Sequence, residues 1–411
     1  MEEGIEMTID NLYGELRSAC RAGGSSCLTS RTELTPAGGP EAAVAPAKFA
    51  AAHGKEGVYA YEQRFIDGVK RTTVLIDSKQ SQLNRAEAAL VQAIADGHSV
   101  LARLPRIEVI YERDGKEECY LDLTLPHRAF DGHIRAGTVG DVPTTNTDEY
   151  RALRDASPAN ARALLEASPA TLVFGGWDST RASHQGRWRS LLVGEIIGVC
   201  ADGEPAKKGG ARVDPVGMSV KLSGDVLTRL ANDQKDELSK NNYDGIVKAA
   251  KKAKADGVSA SALGLGGIPP TLSALGGVAC ERIIRTHVFS FAALRQIRFG
   301  GSSEQDVVCR ALLAALALNA LARSDAEISL RANCDLVEAG KTTVTLDLRQ
   351  GESEELSALS IAEADQLLAV ALNNAKELAG IEWNGVVLTV KGNPEIVAGA
   401  VDEDTEENKE S

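Results

Sequence analysis

At 411 residues, 43% hydrophobic and 25% charged, the chain is long enough for two domains or for one core with large insertions, and its composition is that of an ordinary globular protein. Aromatics at 4% are too few for a recognition surface built mainly on base stacking, and a net charge of −13 weighs against nucleic-acid binding. That charge is uneven, however: residues 401–411 hold six acids and one lysine, whereas 241–300 hold eight Lys/Arg against three acids.

The N-terminus is acidic, unlike a signal peptide, and 1–20 places Ile5, Ile9, Leu12 and Leu16 on one helical face. Residues 21–57 are rich in Gly, Ala, Pro and Ser, with 27–34 (CLTSRTEL) alternating as a strand and 40–57 of low complexity. A strand at 72–77 runs into a helix at 81–98, and 107–111 with 119–123 form a hairpin around Asp114-Gly115. Helices are expected at 147–156 and 160–167, strands at 171–174 and 191–199, a lysine-bearing loop at 202–210, and polar helices at 225–240 and 244–256. The second of these is basic through Lys248, Lys251, Lys252 and Lys254. The C-terminal third predicts strand 281–291, apolar helix 303–323, a hairpin of 327–337 with 342–349, helix 361–379 between Ser360 and Gly380, and strand 385–390. Read contiguously, that is β-α-β-β-α-β, the ferredoxin-like order. The longest apolar run, 311–322, is too short to span a bilayer. Seven scattered cysteines without a C-x-x-C pair point to a reducing cytoplasm.

Four stretches carry possible chemistry. Around 77–85 (DSKQSQLNR), a strand-to-helix junction offers Lys79, Gln80, Asn84 and Arg85 as donors to phosphate or sugar, or else a capped helix start with solvated polar groups. In 126–135, His127, Asp131 and His133 match no strong zinc spacing, and Arg128 lies between them. In 173–181 a glycine turn joins Trp177, Asp178 and Arg181, with Arg187, Trp188 and Arg189 following. Arginines interleaved with aromatics can pair phosphates and stack bases; the favoured reading puts Trp177 in the core with Asp178–Arg181 as an internal ion pair that orders the turn. The stretch 264–300 opens with glycines and Pro269-Pro270 and carries Arg282, Arg285, Arg295 and Arg298. The proline pair sits where a dinucleotide-binding helix would start, so this is no dinucleotide loop; G-x-S-x-G and Walker A are also absent.

IDSKQSQLNR (76–85), LPHRAFDGHIR (125–135), LVFGGWDSTR (172–181) and GLGGIPPT (264–271), in this order, resemble a CRISPR-associated family, with LTPAGG (34–39) and LRQIRF (294–299) alongside. That family is the backbone subunit of the type I-G (formerly I-U) Cascade surveillance complex, of the RAMP superfamily. The resemblance implies an α+β fold with a ferredoxin-like, RNA-recognition-motif-like palm and inserted finger and thumb elements. Its expected division is a helical segment at 1–26, a discontinuous palm at 27–135 and 275–395, an inserted finger/thumb region at 136–274, and an acidic disordered tail at 396–411. It implies a non-catalytic, cytoplasmic subunit without cofactor or metal. The subunit would bind crRNA and meet the target DNA strand through the guide. It would also contact other copies of itself, the large and guide-processing subunits and a recruited helicase-nuclease, with no membrane. Expected RNA contacts are Lys79, Gln80, Asn84, Arg85, Arg128, Arg181, Arg187, Gly266, Gly267, Arg282 and Arg285. The alternatives are a phosphate-handling or metal-dependent enzyme using His127, Asp131 and His133, and a scaffold without nucleic acid.

Overall fold

The computed structural model describes residues 8–49, 58–113, 115–178, 180–181, 186–201, 207–253 and 257–400. Asp114, Ser179, Lys254, the acidic tail at 401–411 and the end of the low-complexity segment, 50–57, lie outside the described residues. The chain forms two compact units, one from 1–49, 59–202 and 279–399, the other from 50–58, 203–278 and 400–411.

The framework of the first unit begins with α1 (Ile9–Cys20), β1 (Cys27–Pro36), β2 (Tyr61–Ile66), β3 (Val69–Asp77), α2 (Lys79–Ala95), β4 (Arg106–Arg113) and β5 (Lys116–Leu121). It continues with β6 (Leu192–Cys200), β7 (Cys280–Ser290), α3 (Ser303–Ala326), β8 (Leu336–Glu338), β9 (Thr343–Arg349), β10 (Glu352–Leu356), α4 (Ile361–Ala379) and β11 (Val386–Lys391). Within it β1, α2, β6, β7, α3 and β9 follow one another as β-α-β-β-α-β. The sheet orders their strands β9-β1-β7-β6, all neighbours antiparallel, the ferredoxin-like arrangement of an α+β fold. The hairpin β2–β3 extends one edge and β10 the other.

Alternation explains why β1 sits centrally. Leu28, Ser30, Thr32 and Leu34 are buried on one face, opposite Phe289, His287, Arg285 and Ile283 of β7. Against the sheet lies α3, whose residues from Asp306 to Leu321 are all buried. It packs on α1, α2 and α4. Among the described residues it is the one helix long and apolar enough to cross a membrane, and 89% of its most apolar stretch is buried inside the protein. The cap reading of α4 holds: Ser360 and Glu363 form a capping box, and Gly380 closes the helix at φ 66°.

Pairing departs from the pattern in four places. The order read contiguously through 281–390 is broken, because β11 leaves the palm and pairs parallel with β4 in a second sheet. The strand β6, placed inside the expected insertion 136–274, belongs to the palm, and the second unit takes 203–278 of that stretch. The expected hairpin of 327–337 with 342–349 does not form: β8 pairs with β1, while β9 turns back into β10 through Arg349, Gln350 and Gly351, all at positive φ. The strand expected at 171–174 is the helix Pro169–Phe174, started by a proline at its first turn. Short apolar runs do not separate strand from helix by period alone.

The second unit pairs Lys207–Arg212 with Ile268–Leu275 and Lys221–Leu222 with Val258–Ser259. Its helices Gly224–Asp233 and Lys240–Lys251 share a small core of Leu227, Ala231, Ile246, Ala250 and Ala260.

Two stability outcomes follow from this packing. A Cβ at Gly194 of β6 would collide with the buried His287 ring across the strand pair, so Gly194→Ala is expected to destabilise by about 1–3 kcal/mol. Gly14, exposed in mid-helix with nothing within 4 Å of a Cβ, should gain up to about 1 kcal/mol as Gly14→Ala. Thermal unfolding of the two variants in parallel checks both signs. The second outcome concerns Asp122, which accepts from Ser168 Oγ and from the Ile107 N–H at 3.3 Å. Burial pushes its carboxyl up to about 7. The native state therefore holds this proton at pH values where the unfolded chain has lost it, so stability falls as pH rises from the ordinary aspartate range through about 7. Asp325, raised to about 6 by burial, acts in the same direction. Melting temperatures at pH 5 and pH 7.5 should differ less in Asp122→Asn than in the wild type, and equal differences would remove Asp122 from this role.

Candidate nucleic-acid interface

The junction of β3 and α2 is built on a carboxylate. Asp77, the last residue of β3, is fully buried, and Ser78 caps the helix by accepting the Ser81 N–H at 3.2 Å. The Asp77 carboxylate accepts from Ser81 Oγ (3.0 Å), Gln82 Nε2 (2.6 Å), Arg85 Nε (3.1 Å) and Arg331 Nη2 (2.6 Å). Arg85 donates further to the carbonyls of Ser329 and Leu330. It therefore ties α2 to the 329–335 segment. Lys79, Gln80 and Asn84, on the other side of the same turns, are exposed, and among the described residues Lys79 is in no ion pair.

Other expected contacts are likewise engaged internally. Arg128, at φ 50°, grips the buried Glu87 of α2 through Nε (2.5 Å) and Nη2 (2.6 Å) and donates to the Gly175 carbonyl at 3.0 Å. Burial raises the Glu87 carboxyl against the pull of this guanidinium. Arg181 donates to Asp155 at 2.9 Å and to the Arg154 carbonyl at 3.2 Å; Arg154, then Arg181, lowers Asp155 to about 2. Arg282 bridges Glu33 and Asp67. Arg285, only 2% exposed, faces Glu338 (2.9 Å) and Asp325 (3.4 Å) beneath the sheet. In the second unit the Gly266 N–H donates to Asp214 at 2.9 Å and the Gly267 N–H to the Met218 carbonyl at 3.1 Å. Those two N–H groups shape a turn and are not presented to a phosphate.

The ribbon of Gly176–Trp177 with Arg187–Trp188 corrects another expectation. Trp177 is 43% exposed, and the Arg187 guanidinium lies 4.6 Å from its ring centroid. Trp188 is the buried one. Gly175, at φ 90°, turns the chain where a Cβ would press on the Trp188 carbonyl. Asp178 pairs with Arg135 at 3.3 Å rather than with Arg181. Arg189 is exposed beside Arg187. Arg187 stacked on Trp177, with the exposed Arg189, Lys79, Gln80 and Asn84, is among the groups that the fold leaves to solvent in this part of the chain.

His127, Asp131 and His133 do not converge as ligands. Asp131 caps a short helix, accepting the N–H groups of His127 (3.0 Å) and His133 (2.9 Å), and His133 Nδ1 meets the Tyr111 hydroxyl at 2.7 Å. Among the described residues no three His, Cys, Asp or Glu side chains group to hold a metal.

Fold and surface together define an α+β palm protein that presents lysine, arginine and tryptophan side chains to solvent. Residues 28–202 match the family model of the CRISPR-associated protein GSU0053. The matched stretch runs from β1 to the end of β6 and so contains the Asp77 junction, the Arg128–Glu87 pair and the Trp177 ribbon. No curated protein matches the chain.

Asp77→Ala removes the anion from two arginines and is expected to destabilise by about 3 kcal/mol or more, whereas Lys79→Ala should stay within about 0.5 kcal/mol of wild type. Denaturant unfolding of both variants measures the contrast; comparable midpoints would show that Asp77 does not organise the junction.

Proposed function

We propose that this chain is a guide-RNA-binding backbone subunit of a type I CRISPR surveillance complex. The observation that carries the reading is the exposed Trp177–Arg187 stack, which lies in the stretch that matches the CRISPR-associated family. Lys79, Gln80 and Asn84 add donors that the fold leaves to solvent. Guanidinium and ammonium groups neutralise phosphates and release counterions, and an aromatic face accepts any base, so the binding is sequence-independent. The net charge of −13 is no obstacle, because six of the acids lie in the terminal eleven residues.

In this reading the chain binds crRNA, meets target DNA through the guide, and assembles with further copies of itself and with the other complex subunits in the cytoplasm. It performs no chemistry; strand cleavage belongs to a recruited helicase-nuclease.

The test is purification of the full chain without nuclease, followed by RNA binding across a salt series. Bound RNA and a steep loss of affinity with salt are expected. Lys79→Ala combined with Arg187→Ala should reduce the slope of log K against log salt by roughly 1.4, about 0.7 for each lost phosphate contact. The loss should be equal for unrelated RNA sequences. A chain that neither carries nucleic acid at low salt nor shifts a guide RNA with its partner subunits present would defeat the proposal.

A further inference from the structure

The segment after β7 carries two arginines not counted among the RNA contacts above, Arg295 and Arg298. They line a hollow of about 430 Å³ together with Arg21, Arg310, Ser303 and Asp306. Four guanidinium groups from three separate elements thus meet at one place, with a single carboxylate in the wall. Arg21 comes from the end of α1, Arg295 and Arg298 from the β7–α3 connection, and Arg310 from α3.

Their bonding shows which parts of them are occupied. Arg295 donates Nη1 to the carbonyls of Ala19 (2.6 Å) and Ser25 (2.8 Å), which fixes it as a wall. Arg21 shares Glu304, with Nη2 2.8 Å from Oε2. Arg310, only 7% exposed, donates Nε to the Ile297 carbonyl at 2.9 Å, while its Nη2 lies 3.7 Å from Asp306, beyond hydrogen-bond distance. Asp306 is itself turned to the Phe299 N–H, 2.8 Å away. Arg298 is exposed, and among the described residues its side chain takes part in no ion pair. Arg298, exposed, and Arg310, buried and held by Ile297 and Asp306, both line the hollow. Burial holds Arg295 and Arg310 below the ordinary arginine value; the Arg349 guanidinium adds to this at Arg295, and the Asp306 carboxylate opposes it at Arg310. The positive end of the 24-residue α3 adds to the same field.

We infer that this hollow is a phosphate-binding site, in which Arg298 and Arg310 hold one phosphate group with Arg21 beside them. Planar guanidinium forks suit phosphate oxygens better than they suit chloride. On the RNA-binding reading above, on which the source of the ligand rests, that group is a backbone phosphate of the bound strand. A second hollow of about 300 Å³ is lined by Arg187 and Arg189 together with Gln296 and Ile297 of the same segment.

The experiment uses the full chain freed of nucleic acid. Inorganic phosphate is titrated against chloride at equal ionic strength, by calorimetry and by melting temperature, on wild type, Arg298→Ala and Arg298→Lys. A single-stranded RNA oligonucleotide is titrated into the same three proteins. Saturable phosphate binding by wild type is expected, lost in Arg298→Ala and partly restored in Arg298→Lys. RNA affinity should fall at least about 10-fold in Arg298→Ala, the effect of losing one charge-assisted hydrogen-bonded contact. Since Arg298 ties no other side chain, Arg298→Ala should melt like wild type in chloride. Unchanged phosphate and RNA binding in Arg298→Ala overturns the site and leaves the RNA reading standing. Phosphate binding that depends on Arg298 in a chain that binds no RNA upholds the site and overturns the RNA reading.

Discussion

One buried carboxylate organises the part of the molecule nearest to function. Asp77 ends β3, and the four donors on it come from the first two turns of α2 and from the 329–335 segment. Taking that carboxylate from water is costly unless its lone pairs are filled, and here they are filled by two arginines, an amide and a hydroxyl. The consequence is geometric. In a helix of 3.6 residues per turn, turning Ser81, Gln82 and Arg85 inward to Asp77 turns Lys79, Gln80 and Asn84 outward. The donors left to a ligand are those that the carboxylate does not claim.

Arginine is used throughout this chain as a tie more often than as a contact. Arg128 joins the loop after β5 to α2, and Arg331 joins the segment after α3 to the Asp77 junction. Arg323 joins α3 to α4 through Asp365, and Arg282 joins β7 to β1 and to the β2–β3 turn. A rigid planar fork with five donors spread over three nitrogens can span two acceptors from different elements, whereas lysine's three donors all leave one nitrogen. Counting basic residues along the sequence therefore overstates what is offered to a polyanion.

This is also why the sequence was legible in some places and not in others. Helices with local start and stop signals could be read: Ser302 with Gln305, and Ser360 with Glu363 and Gly380, lie within a few residues of what they cap. The palm's strands could be read by alternation, but their partners could not. β1 meets β7 some 250 residues away, and nothing in the period of 385–390 says that it will join β4 instead of the palm. Among the site residues, Lys79, Gln80, Asn84 and Arg187 are where residue type and position suggest. Arg128, Arg282 and Arg285 misled because their acceptors are remote in sequence, such as Glu87 for Arg128 and Asp67 for Arg282, whereas Arg85 turns back on Asp77 within its own motif. Trp177 misled because a two-residue ribbon shows no alternation, so general burial of tryptophan was the only guide. For Arg295 and Arg298 the signal was present in LRQIRF, but Arg21 and Arg310, their companions, carry no local mark at all.

The Asp77 junction and the arginine hollow are two answers to one electrostatic problem. In both, guanidinium groups from distant segments are drawn together, and like charges at short range in a partly dry setting repel unless an anion stands between them. At the junction the chain supplies that anion, wholly buried and fully bonded, and the result is a closed structural joint. In the hollow it supplies Asp306, already turned to a backbone N–H, and Glu304, held by Arg21 on the rim. Four lining arginines are thus met by two carboxylates, one of them also bound by a backbone N–H and the other on the rim, and the space between the guanidinium groups is a hollow rather than a packed joint. A protein with 58 acidic residues had no shortage of carboxylates to place there. Leaving the position open is what distinguishes a receptor for an external phosphate from an internal tie.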